Sequence, residues 1–464
     1  MTKRAFLPLP ARTLRRAALL LAVAAAMLAG QSQASTPVSL LPAEPSEIHR
    51  ISDGSVVGGV EMLPQLADSL SAIGMPAVRA RYPQLTGSGQ AVAIIDTGID
   101  YTHPALAGRY LGGWDFGSMD ADPIDDNPTT GGHGTHVAGI VASNDATYGG
   151  VAPGAGLVAL KVFDSSTAAT SASRIDQALN WVAANAATYN ITAVNISLGD
   201  GRSLTQSDTS PVNSTAQAVA SLRSMGIMVS AASGNNGYLE GVNIPAALEG
   251  VVSVGGTWAS DAWSEYAFIW DDPYNWNGEP ARMADNGPVS DDLMVLSNRY
   301  RLEWNDELDL LAPGAIITSS VPVALDTDGT ADGWGAKLGT SMAAPHVAAA
   351  SVLVRQALID TGQLASDPAQ QVDQILEILK LTAQPIRDWH HELGGDHSNI
   401  AESPAYSDEW YLRPGSSSGQ EVYGRLDVEA AIDHVYGVPE PATISLLVCG
   451  AAGVLLRRRS SPRR

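Results

Sequence analysis

The chain has 464 residues, with 49 acidic against 27 basic side chains and a net charge of −22. Between residues 35 and 456 the balance is 17 basic against 49 acidic, net −32, a surface that repels phosphate backbones and argues against nucleic acid as a partner. The one cysteine, Cys449, excludes an intrachain disulfide and a thiolate metal site, and 45% hydrophobic content describes a folded globule.

Taken in chain order, residues 1–34 have the layout of a cleavable secretory signal. Lys3, Arg4, Arg12, Arg15 and Arg16 precede the apolar run Ala18–Gly30, and Ser32-Gln33-Ala34 supplies small residues for cleavage. The run is too short for a spanning helix, and a buried helix would not explain that order. Export implies secretion machinery and a signal peptidase as partners. Residues 35–68, rich in Pro, Ser and charge, are expected to form a short, loosely structured leader.

From Gln90 the pattern alternates between strand and helix. Gln90–Asp96, Gly156–Phe163, Ile191–Gly199, Ile227–Ser233 and Gly250–Gly256 read as strands. Ala172–Ala186 reads as a helix through Ile175, Leu179 and Val182, and Ala216–Gly226 as another, stopped by glycine. Alternation of this kind predicts an α/β fold, a three-layer, doubly wound and mostly parallel sheet. Its functional residues should gather at the carboxyl ends of the strands.

Three residues fit that rule. Asp96 in AIIDTGID ends its strand, His133 in GGHGTHVAG opens a helix, and Ser341 in GTSMAAPHVA opens another. A serine hydroxyl becomes a nucleophile when a histidine takes its proton, and that histidine needs a carboxylate to fix its tautomer. A serine at a helix start also offers its own N–H to an oxyanion. Each residue has a bland alternative. Asp96 suits a turn, His133 and His136 suit a fragment of a metal site, and Ser341 suits an N-cap.

Together DTGID, HGTHVAG, VNISLG, SGNNG and GTSMAAPHVA resemble the subtilisin-like serine peptidases (subtilases). The resemblance runs from about Ile73 to Ile432. It implies a serine endopeptidase working through an acyl-enzyme on protein or peptide substrates, with no cofactor required for the chemistry. Carried over by motif, Asp96 orients the base, His133 is the base and Ser341 the nucleophile. Asn235 is the side-chain oxyanion donor, with Asn236 the less favoured choice. Ser197-Leu198-Gly199 would be the edge along which substrate lies, and Ala232-Ser233-Gly234 one wall of a specificity pocket. Alternative readings are a surface-displayed peptidase for one dedicated substrate, or a catalytically silent peptide-binding or adhesive protein. Silent relatives usually lose a triad member or the oxyanion Asn, and all four residues are here.

The chain also departs from the family pattern. The leader is shorter than a typical propeptide. Ala105 stands where a calcium-binding Asp follows His-Pro in secreted subtilisins, so structural calcium is left unassigned and the metal sites unknown. Asp120–Asn127 and Asp326–Gly333 are acidic alternatives, the second lacking a distal Glu because Lys337 stands there. Two insertions, near 259–309 and 388–418, interrupt a peptidase domain spanning 69–436. Five tryptophans lie in or beside the first, from Trp258 to Trp304, and are expected to pack its own small core. The second carries three His and two Asp within Asp388–Asn399, in no spacing that suits zinc.

Residues 437–464 hold Val-Pro-Glu-Pro, an apolar run at 442–456, and Arg457–Arg459. As a helix the run measures about 22 Å, short of the ~30 Å hydrocarbon core but oriented by arginine. This tail resembles the PEP-CTERM sorting signal of Gram-negative bacteria. That resemblance implies an exosortase-type partner and delivery across the inner membrane to the cell surface or matrix, with transient or permanent anchoring.

Overall fold

A computed structural model describes residues 37–38, 47–50, 66–205, 213–238, 241–264, 266–272, 281–286, 288, 290–299, 308–326, 331–387 and 422–438. The signal segment, the insertion at 388–418 and the tail beyond Val438 lie outside them.

The leader contributes β1 (Pro37–Val38) and β2 (Glu47–Arg50), followed by α1 (Leu66–Ala72) and α2 (Met75–Arg81). Next come β3 (Ala91–Asp96), β4 (Tyr110–Asp115), α3 (His133–Ala142), β5 (Gly156–Lys161) and β6 (Thr170–Ser171). They lead into α4 (Ala172–Tyr189), β7 (Ile191–Ile196), α5 (Asn213–Ser224), β8 (Met228–Ala232) and β9 (Val251–Thr257). The first insertion supplies β10 (Tyr266–Asp272) and β11 (Ala281–Asn286), and β12 (Leu310–Pro313), β13 (Ile317–Ser320) and β14 (Trp334–Lys337) follow it. The chain closes with α6 (Thr340–Asp360), α7 (Pro368–Leu381), β15 (Gln384–Arg387), β16 (Val422–Arg425) and α8 (Val428–Tyr436).

Nine strands form the central sheet in the order β15-β16-β12-β9-β8-β7-β3-β5-β4, parallel throughout except that β15 runs against β16. The expected α/β class is therefore the observed one. Side chains alternate between the two faces. Val92 and Ile94 pack with α3, α6, α7 and α8, whereas Ala91, Ala93 and Ile95 pack with α4 and α5. Asp96 continues the Val92–Ile94 alternation, so its carboxylate emerges on the face carrying α3 and α6. That phase is what makes a triad geometrically available.

Helix α4 buries Ile175, Leu179 and Val182, the stripe expected from the sequence, with Ala178 and Ala186. It runs three residues past the expected end, to an Asn190 cap in the left-handed region at φ 51°. Among the described residues α6 is the one helix long and apolar enough to cross a membrane, and 83% of its apolar stretch is buried. It is the central core helix.

Of the leader, residues 37–38, 47–50 and 66–68 are described, and the first two stretches are strands. Pro37–Val38 pairs antiparallel with Thr170–Ser171, and Glu47–Arg50 adds to the hairpin of β10 and β11. Strand edges accept any extended segment through backbone bonds alone, so a leader without apolar periodicity still finds partners. Beside the first insertion, Trp258 is fully buried and packs on Phe268 at 4.8 Å, within a cluster of Met294 and Leu296 from the insertion and Ile316 and Leu338 from beyond it. That core is shared between the insertion and the segments at Ile316 and Leu338 beyond it, and Trp276 and Trp304 lie outside the described residues.

Candidate active site

Strand β3 delivers Asp96 fully buried. Its Oδ1 accepts the Thr97 N–H at 2.7 Å and lies 2.8 Å from His133 Nδ1. Since a carboxylate only accepts, His133 carries its proton on Nδ1 and keeps Nε2 as the basic nitrogen. Helix α3 begins at His133, after Gly132 at φ 71°, where a Cβ would fall 2.3 Å from Pro322 Cδ. Gly134 follows under greater constraint, because a Cβ there would sit 2.1 Å from Gly98 O and 3.2 Å from Asp96 Cβ. The small residues of HGTH therefore let the helix start press directly against the strand end. Two further bonds lace the contact, from Gly134 N–H to Thr97 Oγ1 at 2.8 Å and from Asp100 N–H to Thr135 Oγ1 at 2.9 Å.

Ser341 is buried in the first turn of α6. Its Oγ donates to Ser197 O at 3.2 Å, while Ser197 Oγ donates to Ser341 O at 2.8 Å. The second bond has a sequence cause. Pro345 lies four residues after Ser341 inside the helix and has no N–H for the Ser341 carbonyl. Ser197 fills that vacancy, tying the segment after β7 to the helix start. Ser197 is held in turn by Asn195 Nδ2 at 2.9 Å.

Asn235 sits after β8, and its Oδ1 accepts from Thr340 N–H at 2.9 Å and Thr340 Oγ1 at 2.8 Å. A backbone N–H can only donate, so this pair fixes the amide orientation and leaves Nδ2 as the donor edge. Asn236 belongs elsewhere. Its N–H donates to Asn298 Oδ1 at 2.9 Å, and its Oδ1 is approached by Asn243 Nδ2 at 3.4 Å. Asn298 Nδ2 in turn donates to Asn243 Oδ1 at 3.0 Å. This amide cluster was not legible in the sequence, because Asn298 is brought to Asn236 and Asn243 from a segment more than fifty residues away. Gly234 beside it has φ 116°, and a Cβ there would meet Asn243 Oδ1 at 2.1 Å. Ser197, Leu198, Gly199, Ala232, Ser233 and Gly234 are all buried, at the ends of β7 and β8.

His136 does not join His133 in a metal site. Its Nε2 bonds Ile317 O at 2.8 Å and Gly335 O at 3.1 Å, and burial holds its pKa well below the usual value, with Lys337 adding to the effect. His346 is likewise buried. Its Nδ1 donates to Met342 O at 2.8 Å, Nε2 lies 3.1 Å from Ser69 Oγ, and burial lowers its pKa to about 4. For a histidine depressed from 6.5 to about 4, stability is fully present above 6.5 and is lost as pH falls through that window. The loss for His346 alone reaches about 3 kcal/mol. His346→Gln is expected to flatten the decline in unfolding free energy between pH 7 and pH 4 by about that amount, measured by denaturant titration.

Each aspartate of the acidic loop Asp120–Asn127 has one carboxylate oxygen committed to a protein donor. Asp120 Oδ1 accepts from Asp122 N–H, Asp122 Oδ1 from the Tyr101 hydroxyl, Asp125 Oδ2 from Thr135, and Asp126 Oδ1 from Lys161 Nζ. In Asp326–Gly333, Gly333 N–H donates to Asp326 Oδ2 at 3.0 Å, as in an Asp/Gly turn, and residues 327–330 lie outside the described residues. Ala105 is buried, its carbonyl accepting Asn144 N–H at 2.8 Å. Among the described residues no group of three His, Cys, Asp or Glu could hold a metal. The His-rich segment Asp388–Asn399 lies outside them.

The described residues thus form a mostly parallel α/β sheet with a buried Asp–His pair at one strand end and a serine opening the central helix. The profile of the subtilase family matches residues 87–399, and the chain belongs to that family. It is 33% identical over 292 residues to subtilisin NAT of Bacillus subtilis subsp. natto, covering 61% of this chain and 60% of that protein. It is 34% identical over 289 residues to subtilisin Savinase of Lederbergia lenta, covering 62% and 83%. The aligned part thus spans about 60% of the length of the first of these relatives. The crystal structure of a lanthipeptide protease shares the fold, with a TM-score of 0.55 and 20% identity over 81% of this chain and 97% of that one.

Proposed function

We propose that this chain is an exported serine endopeptidase. Ser341 Oγ attacks the scissile carbonyl as His133 Nε2 takes its proton. Asp96 holds the ring through Nδ1 and stabilises the imidazolium that forms. The oxyanion is received between Asn235 Nδ2 and the Ser341 N–H, neither of which has to reorganise as charge develops. His133 then returns the proton to the leaving amine, and water repeats the sequence on the acyl-serine. The observation that carries this reading is the 2.8 Å bond between Asp96 and His133, on the sheet face that also bears α6. In the hydrolytic cycle a rotation about χ1 of Ser341 moves its proton from Ser197 O toward His133.

Substrate in this reading is an extended protein or peptide segment. It lies along Ser197–Gly199, with the side chain before the scissile bond against Ala232–Gly234. Asn235→Ala should lower turnover on a peptide substrate by about 10²–10³, the scale known for the corresponding subtilisin residue. Labelling by a fluorophosphonate should then be weak but measurable. Turnover equal to wild type would sink the oxyanion role.

Residues 1–34 and 437–464 are proposed as the address of the enzyme. The first directs export, and the second is a PEP-CTERM tag handled by an exosortase-type enzyme at the inner membrane of a Gram-negative bacterium. Mass spectrometry of protein collected outside the cell should find both segments removed. Recovery of the intact tail would count against processing.

A further inference from the structure

We infer that Asp125 is a positioning residue for the triad, a second buried carboxylate that sets the charge environment of the Asp96–His133 pair through the helix start carrying His133. The inference rests on the peptidase reading above and extends it by one residue.

Asp125 is 2% exposed. Its Oδ2 accepts from Thr135 N–H at 3.0 Å and Thr135 Oγ1 at 2.8 Å. Thr135 stands two residues after His133, and its hydroxyl also receives the Asp100 N–H at 2.9 Å. On the other side, Ile99 N–H donates to Pro123 O at 3.0 Å, and a Cβ on Gly98 would fall 2.7 Å from both Pro123 O and Ile124 O. Residues 123–125 are therefore wedged between the segment leaving Asp96 and the turn leaving His133. Asp125 Oδ1 and Asp96 Oδ2 are both buried without a hydrogen-bond partner among the described residues.

The charged and titratable groups around it come from every neighbouring element. They are Asp96 from β3, Asp100 from the loop after it, His133 and His136 from α3, and Lys161 from β5. Lys161 Nζ is taken by Ile124 O at 2.7 Å and by the Asp126 carboxylate. Burial pushes the Asp125 carboxyl up from 3.8 to about 6, opposed by the Thr135 donors and more weakly by the Thr97 side chain, with the charge of Asp96 adding to the rise. For an acid raised in the folded state, stability is lost as pH rises from 3.8 to about 6. Ionised Asp125 thus works against folding at neutral pH, the opposite of what a purely structural acid would do. What it supplies above that pH is a negative charge beside the pair that must carry an imidazolium.

The test is the pH dependence of kcat/KM on a fluorogenic peptide for wild type and Asp125→Asn, with thermal melting to verify folding. Asn keeps an acceptor for the Thr135 N–H and removes the charge. The imidazolium is then less favoured, so the acid limb should move down by about 0.5–1 pH unit, and kcat above pH 7 should fall about 3- to 10-fold. If Asp125→Asn does not fold, Thr135→Val takes one donor from the ionised carboxyl and should move the limb in the same direction by less. An acid limb that stays in place or moves up, with wild type active, would overturn the role of Asp125 alone. A wild-type protein that hydrolyses no peptide and takes no fluorophosphonate would overturn the peptidase reading and this inference with it.

Discussion

Replacing Ser341 by alanine is expected to lower kcat on a peptide substrate by about 10⁶, the scale established for the nucleophile of subtilisin and taken over from it. The fold should survive, because the change removes one hydroxyl whose partner is the Ser197 carbonyl at 3.2 Å. The second tie of the same junction, from Ser197 Oγ to the Ser341 carbonyl, does not involve the deleted atom. Melting temperature should therefore change little while turnover collapses. A variant that retained more than about one part in 10³ of wild-type kcat would mean that another group performs the attack.

Gly134→Ala is expected to remove both activity and stability, for a reason unrelated to chemistry at serine. The added methyl would lie 2.1 Å from the Gly98 carbonyl oxygen and 3.1 Å from Thr97 Oγ1. Backbone cannot yield there without moving β3 away from α3, and overpacking of this kind costs about 3 kcal/mol. The same displacement would stretch the 2.8 Å bond between Asp96 and His133, so kcat should fall by about 10² or more even in the fraction that folds. Chemical denaturation and active-site titration with a fluorophosphonate separate the two losses. A Gly134→Ala protein with wild-type stability would show that helix and strand are not in contact as described.

Much of this arrangement was legible in the sequence. Asp96 ends an apolar run, and glycines flank the starts of the helices carrying His133 and Ser341. Those are local signals, and the strand spans at 91–96, 156–161 and 191–196 followed from them within a few residues. The legible part stops where partners are distant in sequence and the residue types are unremarkable. Ser197 and Pro345 each look ordinary, yet the carbonyl that proline leaves unbonded is what Ser197 grips. Asp125 lay within a loop that composition marks only as acidic, and its burial depends on Thr135 and Gly98 arriving from opposite sides. Strand β4, with Gly112 and Gly113 and a half-exposed pattern, lacks the apolar run that betrays a central strand. The leader strands span only two and four residues, too short for alternation to mark them in the sequence.

The proposed chemistry turns on Ser341 acting as a nucleophile activated by His133. The most direct measurement is reaction of the full folded chain with a fluorophosphonate, followed by peptide mapping of the adduct. One phosphonyl group is expected on Ser341, absent in Ser341→Ala and strongly reduced in His133→Ala. A folded wild-type protein that takes no label, or takes it on another residue, would contradict it.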